Sequence, residues 1–463
     1  MKKIFTQIFL MSLMLLSAVT AGAQSFSGGT GTETDPYQIS DAADLKQLSR
    51  SVAVDMNTYA GSYFVMTGDI DMAGVTDFDP IGNNFSGDLN PFSGTFDGNG
   101  HRVFNLNREW EELGFVGLFG VIMNATIKNV VLDTSNIYGD LSVGGIVGVA
   151  VMDNTISNCH TTADVTIGVR KFYIAGICGG TLLGGTAGTV IKDCTNSARI
   201  IGCVGYSAGI LGTNGQNNTQ VLRCANFGEI SDDQLHVAGI VAHTKNGISI
   251  EDCFNTGKIS MLALEGADNA RGAGILADGY EVPAEECIMI TNCYNAGEMN
   301  AENEKTHAIY QGDYYSYNNT FLTNCYYSSD LYKGDYDCSE AMSSDMMKTQ
   351  DFVDKLNAGR TTDACWVIAE GVNQGFPVTI NEDGVHTAVC SVAAVGAAFS
   401  YAGGVASISG AEAGTALTAA DMEGRIVATA AADAAGCAAI DMNVLARGIY
   451  VVSAAGKSIK VVR

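Results

Sequence analysis

Two carboxylates and a cation occupy equivalent points of a repeated motif in this 463-residue chain. Asp193, Arg223 and Asp252 each stand one residue before a cysteine. If the repeats stack, these three side chains form a column, and paired carboxylates are what glycoside cleavage requires. Asp193 and Asp252 would lie about 10 Å apart, two coils from each other, with the cation between them. The pattern therefore favours a structural ladder with one charge pair, and a catalytic column is the alternative.

Metal-binding and phosphate-binding patterns do not occur. The sequence has no HExxH or other zinc spacing, no phosphate loop and no CxxC pair. The six histidines are scattered along the chain: His101, His160, His236, His243, His307 and His386. We therefore expect neither a metal nor a cofactor.

A tyrosine-rich segment is the second candidate site. Eight of the 18 tyrosines lie between residues 310 and 336. Tyrosine combines a flat apolar face with a polar tip, which suits sugars or a protein partner. The alternative is a last coil whose tyrosines seal the core. The candidate binding residues are Tyr310, Tyr314, Tyr315, Tyr317, Tyr326 and Tyr327.

Insertions between the repeats are further candidates for binding. They span residues 181–189, 261–271 and 278–288. Loops on a rigid scaffold are where binding sites are commonly found. Because the two longest inserts lie near the tyrosine-rich segment, we expect binding toward the C-terminal end of the repeats.

Six cysteines set the register of the repeat. An apolar residue lies three positions before and six positions after each of Cys159, Cys194, Cys224, Cys253, Cys293 and Cys325. Glycine-led blocks recur upstream of the cysteines: GLFG at 117–120, then GIVG, GICG, GILG, GIVA and GILA, with a decayed AIYQ at 308–311. Successive leading glycines are 28 to 35 residues apart, which indicates stacked units.

The composition of each unit favours strands. Apolar runs are short, β-branched and bounded by Gly, Asn and Asp. The sequence thus predicts an all-β fold, a parallel β-helix of about 30-residue coils with three short strands per coil. The residue before each cysteine is usually Asn or Asp, which tolerates a left-handed corner, whereas Arg223 would require another solution.

The cysteines are expected to be stacked thiols rather than disulfides. Neighbours on adjacent strands lie about 4.8 Å apart, whereas a disulfide requires Cβ atoms nearer 3.8 Å and turned toward each other. A free cysteine packs well as a small hydrophobe. Cys338, Cys365, Cys390 and Cys437 lie outside this stack, and the pattern favours neither state for them.

The repeats resemble the GLUG-motif repeats of secreted Bacteroidetes proteins, which run from a Gly-Leu-Val-Gly-like strand to an Asn-Cys-Tyr-like strand. Residues 30–48, 68–74, 92–106 and 366–378 resemble other segments of that family. The resemblance implies a surface or adhesin-like role rather than one reaction. On this basis, residues 24–115 are an N-terminal cap with the first coils, 116–334 the repeats, 335–382 a C-terminal cap and 383–390 a linker.

Two helices are predicted to cover the ends of the solenoid. Ser40 is positioned to N-cap a helix that carries Leu45, Leu48 and Val52 on one face. Thr349 is positioned to start a second helix with Phe352, Val353 and Leu356. A solenoid requires such covers because its open ends would otherwise expose core and strand edges.

The two termini suggest export. Residues 1–23 read as a signal peptide, with Lys2 and Lys3 before a short apolar run and a small-residue cleavage site. Residues 391–463 are alanine-rich, with short strands and Gly turns, and predict a small β-sandwich. Their Gly-Ile-Tyr-Val-Val run and Lys-Val-Val-Arg end resemble the sorting domain of the type IX secretion system. We therefore expect a secreted or cell-surface location, with outer-membrane contact only through the secretion or attachment machinery.

The charge limits the range of partners. A net charge of −25 argues against nucleic acid and anionic membrane surfaces. The sequence as a whole predicts a non-enzymatic binding protein that presents its loops to a glycan or protein ligand at a surface. The alternatives are a polysaccharide lyase or glycoside hydrolase on one face of the β-helix, and a passive spacer.

Overall fold

The fold comprises two compact units, residues 1–388 and 389–463. The computed structural model describes residues 26–83, 89–110, 113–202, 205–232, 235–261, 271–280, 282–283, 285–301, 306–312, 319–332, 339–358, 365–369, 372–380, 398–402, 405–409, 414–420, 425–433, 437–445, 449–454 and 457–462. Within these residues, no helix has the length and apolar character needed to cross a bilayer.

The first unit is a parallel β-solenoid. Equivalent strands of successive coils pair in parallel and build five sheets, named A to E here, and the chain passes through a coil in the order E, A, B, C, D. Sheet A contains Tyr37–Ile39, Tyr63–Met66, Thr95–Asp97, Thr126–Lys128, Asn154–Ser157, Thr189–Lys192, Thr219–Leu222, Ile248–Glu251, Ile288–Thr291 and Thr320–Thr323. Sheet B contains Ile70–Asp71, Arg102–Phe104, Val131–Asp133, His160–Thr161, Thr195–Asn196, Ala225–Asn226, Phe254–Asn255, Tyr294–Asn295, Tyr326–Ser328 and Glu340–Met342.

The other three sheets complete each coil. Sheet C contains Asn107–Glu109, Asn136–Gly139, Thr166–Val169, Arg199–Ile201, Ile230–Asp232, Ile259–Met261 and Met299–Ala301. Sheet D contains Phe115–Val116, Ser142–Gly144, Tyr173–Ala175, Tyr206–Ala208, His236–Ala238, Arg271–Ala273 and Thr306–His307. Sheet E contains Phe119–Met123, Val147–Val151, Cys178–Leu182, Leu211–Asn214, Val241–Thr244 and Leu276–Gly279. The prediction of a parallel β-helix is confirmed, but a full coil has five short strands rather than three.

Apolar residues stack in register inside the solenoid. In sheet A, Ile127, Ile156, Ile191, Val221, Ile250 and Ile290 lie on paired strands and are fully buried. The same alternation in other sheets adds Ile167 and Ile200, also buried. The pattern fails at the last position, since Leu331 is 39% exposed. The chain leaves the coil after Tyr326–Ser328, and sheet B continues with Glu340–Met342 instead.

A left-handed residue turns the chain from sheet A into sheet B. Asn158, Asp193, Arg223, Asp252, Asn292 and Asn324 all have φ between 50° and 57°. The expectation that Arg223 needs a different corner is therefore wrong, because its φ is 50°. The bidentate ion pair that Arg223 forms with Asp193 holds this side chain in place and compensates for the unfavourable backbone.

The six cysteines that follow these corners are buried free thiols. Each Sγ lies 3.3 to 3.7 Å from a main-chain carbonyl oxygen of the preceding coil, to which the thiol donates. A small side chain with a weak donor thus fills the corner and satisfies a neighbouring carbonyl. Burial raises the pKa of the Cys194 and Cys253 thiols well above the ordinary value.

An asparagine ladder runs along the inner side of sheet B. The Asn196 amide donates to Asn226, Asn226 to Asn255 and Asn255 to Asn295, with Nδ2–Oδ1 distances of 2.7 to 2.8 Å. These buried side chains also lie against the leading glycines of the repeat. A Cβ on Gly209 would come within 2.6 Å of Asn226 and 2.3 Å of the Gly239 carbonyl oxygen. The sequence pattern Cys-x-Asn and the leading glycine therefore require each other.

The N-terminal end is covered by helix α1, Ala42–Ala53. Its N-cap is Asp41 rather than Ser40, because the Asp41 carboxylate accepts from the Ala43 and Asp44 N–H groups. Ser40 instead donates its hydroxyl to the buried Asp44 carboxylate. Leu45, Leu48 and Val52 face the core as predicted.

The segment after the last coil covers the outer face of sheet B. It contains helices α2, Ser344–Met347, and α3, Gln350–Asn357, the 3-10 turn Asn373–Gly375, and the antiparallel strands Trp366–Val367 and Val378–Thr379. Phe352, Val353 and Leu356 of α3 are buried in a cluster that includes Phe254 and Tyr294 of sheet B. Thr349 is the N-cap residue of α3, but its hydroxyl bonds to the Met346 carbonyl rather than to the helix N-terminus.

The second unit consists of two antiparallel sheets. One contains Ala398–Ala402, Val405–Ser409 and Ala438–Asp441, and the other Ala416–Ala420, Ile426–Ala431, Ile449–Ala454 and Lys457–Val462, with a 3-10 turn at Met442–Val444. Leu417, Ile440, Tyr450 and Val452 form a shared core. Small alanine side chains complete this core, so the unit is a small β-sandwich.

Candidate binding groove

The Asp193–Arg223–Asp252 column is closed. Arg223 donates to both oxygens of Asp193, at 2.7 and 3.0 Å. Trp366 donates its indole N–H to Asp252 Oδ1 at 2.9 Å. Both carboxylates are at most 5% exposed. These three side chains therefore hold the corner and the covering segment together, which is the structural ladder that the spacing favoured.

The candidate tyrosines that the structure describes, Tyr310, Tyr326 and Tyr327, do not form one surface. Tyr310 and Tyr326 are buried, which does not agree with the prediction that they present a face to a ligand. Tyr310 packs in the solenoid core and Tyr326 against Phe352 of α3. Tyr327 is half-buried and contacts Tyr332 edge to face. Tyr314, Tyr315 and Tyr317 lie outside the described residues.

The predicted insertion loops differ in their anchoring. In the loop 181–189, Asp153 accepts from the main-chain N–H groups of Thr186, Ala187 and Gly188. In the insert 278–288, Glu286 accepts from the Gly247 N–H, and Cys287 is exposed. Residues 262–270 of the remaining insert lie outside the described residues.

The outward side chains of sheets D and E face each other across the bend between the two sheets. We call this surface the D/E groove and define it by Tyr173, Tyr206, His236 and Arg271 of sheet D and Thr213, His243 and Asp278 of sheet E. The sheet D residues are register neighbours on successive strands, and so are the sheet E residues. The solenoid thus places aromatic and charged groups from four coils in one line.

Tyr173 and Tyr206 form a stacked pair at the N-terminal end of the groove. Their ring centroids are 5.4 Å apart at an interplanar angle of 29°. Both side chains are half-buried. Burial raises the pKa of Tyr173, and burial together with the nearby Asp278 charge raises the pKa of Tyr206 to about 12. Both phenols remain neutral donors at physiological pH.

Asp278 is the centre of a polar cluster at the C-terminal end of the groove. Arg271 forms an ion pair with its Oδ1 atom. His236 Nε2 lies 3.4 Å and His243 Nε2 3.8 Å from its Oδ2 atom. The Tyr206 ring centroid lies 5.0 Å from the His236 ring and 4.4 Å from the His243 ring. The Arg271–Asp278 ion pair and the aromatic ring of Tyr206 therefore lie against the same two histidines.

Both histidines in this cluster are neutral. Burial lowers the pKa of each imidazole to about 3, aided by the Arg271 charge at His236 and by the Lys245 and Arg271 charges at His243. His243 Nδ1 bonds to the Thr213 hydroxyl at 3.0 Å. Among the described residues, His236 Nδ1 and His243 Nε2 have no hydrogen-bond partner although both atoms are buried. Buried polar atoms normally have partners, so these two nitrogens indicate a site for a polar group.

Among the described residues, neither a metal site nor two further depressions offer comparable chemistry. None of their groups of three or more His, Cys, Asp or Glu side chains is arranged to hold a metal ion, and Arg271 already occupies the Asp278 carboxylate. A depression of about 460 Å³ beside α1 and another of about 540 Å³ near Ser249 and Cys287 have no aromatic side chain among their described lining residues.

The groove residues have a regular spacing from the leading glycines, which the alignment on the cysteines did not reveal. Three residues before the leading glycines 176, 209, 239 and 274 stand Tyr173, Tyr206, His236 and Arg271. Four residues after the last two of these glycines stand His243 and Asp278. Two of the six histidines that appear scattered in the sequence, His236 and His243, therefore converge on one carboxylate. The strand register brings them together.

Comparison with known proteins gives limited similarity. No protein-family model matches the chain. Halomucin of Haloquadratum walsbyi is 33% identical over 147 residues, which are 30% of this chain and 2% of that protein. A solved structure named "putative immunoglobulin A1 protease" from Bacteroides ovatus has a TM-score of 0.46 at 18% identity, covering 76% of this chain and 95% of that one. A structure named IgA1 Protease has a TM-score of 0.49 at 15% identity, covering 66% of this chain and 23% of that one.

Proposed function

We propose that this chain is a secreted or cell-surface β-solenoid of the GLUG-repeat type that binds a glycan or a protein at a surface without catalysing a reaction. The observation that carries the proposal is the D/E groove, where half-buried Tyr173 and Tyr206 adjoin the Asp278 cluster. Aromatic rings beside a few fixed polar groups are the usual composition of a recognition site. The rigid stack of coils positions these groups with little loss of entropy on binding.

The catalytic alternative has less support from the geometry. Glycoside cleavage needs two carboxyl groups at the reacting bond, one of them able to donate a proton. In the Asp193–Arg223–Asp252 column, each carboxylate is buried and bonded to another side chain. The D/E groove contributes Asp278 as its carboxylate, and Arg271 is bonded to it. A binding role requires neither an open acid nor a second carboxylate.

The ends of the chain support export to the surface. The basic and apolar pattern of residues 1–23 is that of a leader. The C-terminal β-sandwich is consistent with a sorting domain of the type IX system. If this role is right, a reporter fused to residues 389–463 should reach the cell surface in a strain with that system and stay in the periplasm without it. Equal surface display in both strains would contradict the sorting role while leaving the binding role intact.

The binding role is tested with the chain that lacks the leader, residues 24–463. Labelled protein is added to bacterial and host cells, and bound fluorescence is measured by flow cytometry. We expect saturable binding that Tyr173→Ala with Tyr206→Ala weakens by at least about tenfold, as for residues at the centre of an interface. Tyr327→Ala is the matched control, since it removes another half-buried tyrosine, one that belongs to sheet B and not to the groove.

Two results would contradict the binding role. The first is that Tyr327→Ala abolishes binding to cells while the groove variants bind as well as the wild-type protein. The second is the absence of saturable binding to any cell type together with cleavage of polysaccharide or protein by the same sample. A thermal melt of each variant confirms that it is folded.

A further inference from the structure

The two unpartnered imidazole nitrogens define the chemistry that fits the end of the groove. A neutral imidazole has one donor and one acceptor nitrogen, and the Thr213 hydroxyl that pairs with His243 Nδ1 can serve either role. His243 Nε2 is therefore a donor in one tautomer and an acceptor in the other, and its partner must have the opposite role. A hydroxyl group both donates and accepts, so it satisfies His243 Nε2 and His236 Nδ1 in either tautomer.

The charges of the cluster cancel. Arg271 is positive and Asp278 negative, and both histidines are neutral because their pKa values lie near 3. A carboxylated, sulfated or phosphorylated ligand would find the Arg271 charge already compensated by Asp278, and the other cation whose charge reaches His243 is Lys245. The chain as a whole carries a net charge of −25, which further disfavours the approach of an anion. The electrostatics thus select a neutral ligand.

The tyrosine pair supplies the apolar part of the site. Tyr206 contacts both histidine rings, and Tyr173 extends the aromatic surface by one coil. A pyranose ring combines an apolar C–H face with hydroxyl groups at its edge, and tyrosine offers the matching flat face and polar tip. Register neighbours repeat about every 4.8 Å along the axis, so a linear chain of sugars can follow the groove.

Access to the buried nitrogens depends on Arg271. The side chains of His236, His243 and Asp278 are at most 7% exposed, whereas that of Arg271 is 19% exposed. Arg271 is therefore the member of the cluster that a ligand meets first. Rotation of its long side chain would admit a hydroxyl group to the nitrogens and leave the guanidinium free to donate to a second hydroxyl.

We propose that the D/E groove recognises a neutral, pyranose-containing glycan, with sugar rings against Tyr173 and Tyr206 and adjacent hydroxyls at Arg271, His236 and His243. This inference rests on the proposed binding function and specifies its ligand class. Asp278 and Thr213 are positioning residues, since they hold the groups that meet the glycan.

The test is a glycan array probed with residues 24–463. The array carries neutral oligosaccharides together with the sialylated, sulfated and uronate-substituted forms of the same backbones. We expect binding to neutral members and at least about tenfold weaker binding to their acidic forms. Isothermal titration with the best neutral member then compares Tyr173→Ala, Tyr206→Ala and Arg271→Met with Tyr327→Ala, and the first three should each weaken binding at least about tenfold.

A direct readout covers the case in which Arg271→Met disturbs folding because Asp278 loses its ion pair with Arg271. In the wild-type protein, the side-chain ¹⁵N resonances of His236 and His243 should shift when the neutral glycan is added, and that of His101 should not. The inference is overturned if only acidic glycans bind, or if neutral glycans bind without shifting either histidine. It is also overturned if no glycan binds while groove variants reduce binding to cells, a result that would leave the proposed function standing. If the protein binds neither glycans nor cells, both the glycan inference and the proposed binding function are overturned.

Discussion

Trp366 Nε1 and Asp252 Oδ1 lie 2.9 Å apart although 114 residues separate them in the chain. The bond joins the covering segment to a left-handed corner of the solenoid. The Trp366 ring also packs against Phe254 and Tyr294 of sheet B, at 5.8 and 5.5 Å between centroids. A carboxylate that resembles a catalytic acid in the sequence is thus an anchor for the segment that covers it.

This anchor gives a stability prediction. Trp366→Phe should lower the free energy of unfolding by about 1–3 kcal/mol, because a buried carboxylate oxygen of Asp252 loses its donor. The matched control is Trp110→Phe, since Trp110 is also buried but its indole N–H has no partner among the described residues. Chemical denaturation followed by circular dichroism measures both. Equal losses in the two variants would show that ring volume, rather than the bond to Asp252, is responsible.

The thiols should differ sharply in reactivity. In the native protein, a thiol reagent should label the exposed Cys287 and Cys437 and spare the six corner cysteines. Burial also raises the pKa of Cys178 to about 12, so this thiol should be unreactive as well. Mass spectrometry after unfolding without a reductant should then find Cys159, Cys194, Cys224, Cys253, Cys293 and Cys325 all alkylated. A disulfide between any two of them would refute the stacked-thiol arrangement.

The contact between Gly209 and the asparagine ladder predicts a strict requirement for glycine. Gly209→Ala should destabilise the protein by about 1–3 kcal/mol, because the new methyl group would overlap the Gly239 carbonyl oxygen and Asn226. Gly68→Ala serves as the control, since a Cβ there meets nothing within 4 Å. Thermal melts compare the two variants. Unchanged stability in Gly209→Ala would contradict the close contact between Gly209 and the adjacent coil.

Much of the fold followed from short-range pattern. The apolar residues three before each cysteine, the Asn or Asp at the corner and the leading glycines recur with one register, and local rules for strands and left-handed residues interpret them directly. The count of five strands per coil did not follow, because strands of two or three residues such as His160–Thr161 are too short to show an alternation.

The groove could not be found in this way. Tyr206 and His243 are 37 positions apart and come from different sheets, and their contact depends on the angle between sheets D and E. The Asn196 ladder was also missed, although Asn at the second position after the cysteine is visible in four repeats.

The buried histidines predict an effect of pH on stability. The pKa values of His236 and His243 are lowered from 6.5 to about 3 by burial, so between these values the unfolded chain binds more protons than the folded one. The stability from each neutral histidine is fully present above pH 6.5 and is lost as the pH falls toward 3, by up to about 1.4 kcal/mol per pH unit. Denaturant melts from pH 7 to pH 4 should therefore show a shallower decline for the His236→Gln, His243→Gln double variant. Parallel curves for the two proteins would contradict the neutral, buried state.

The role of the D/E groove is tested most directly by hydroxyl-radical footprinting of the wild-type protein, with and without the cell surface or glycan to which it binds. If the groove is the binding surface, oxidation of Tyr173 and Tyr206 should fall on binding, while Tyr327 and Tyr332 should be oxidised as before. Protection at Tyr327 and Tyr332, with unchanged oxidation of Tyr173 and Tyr206, would place the binding surface elsewhere and contradict the function proposed for this groove.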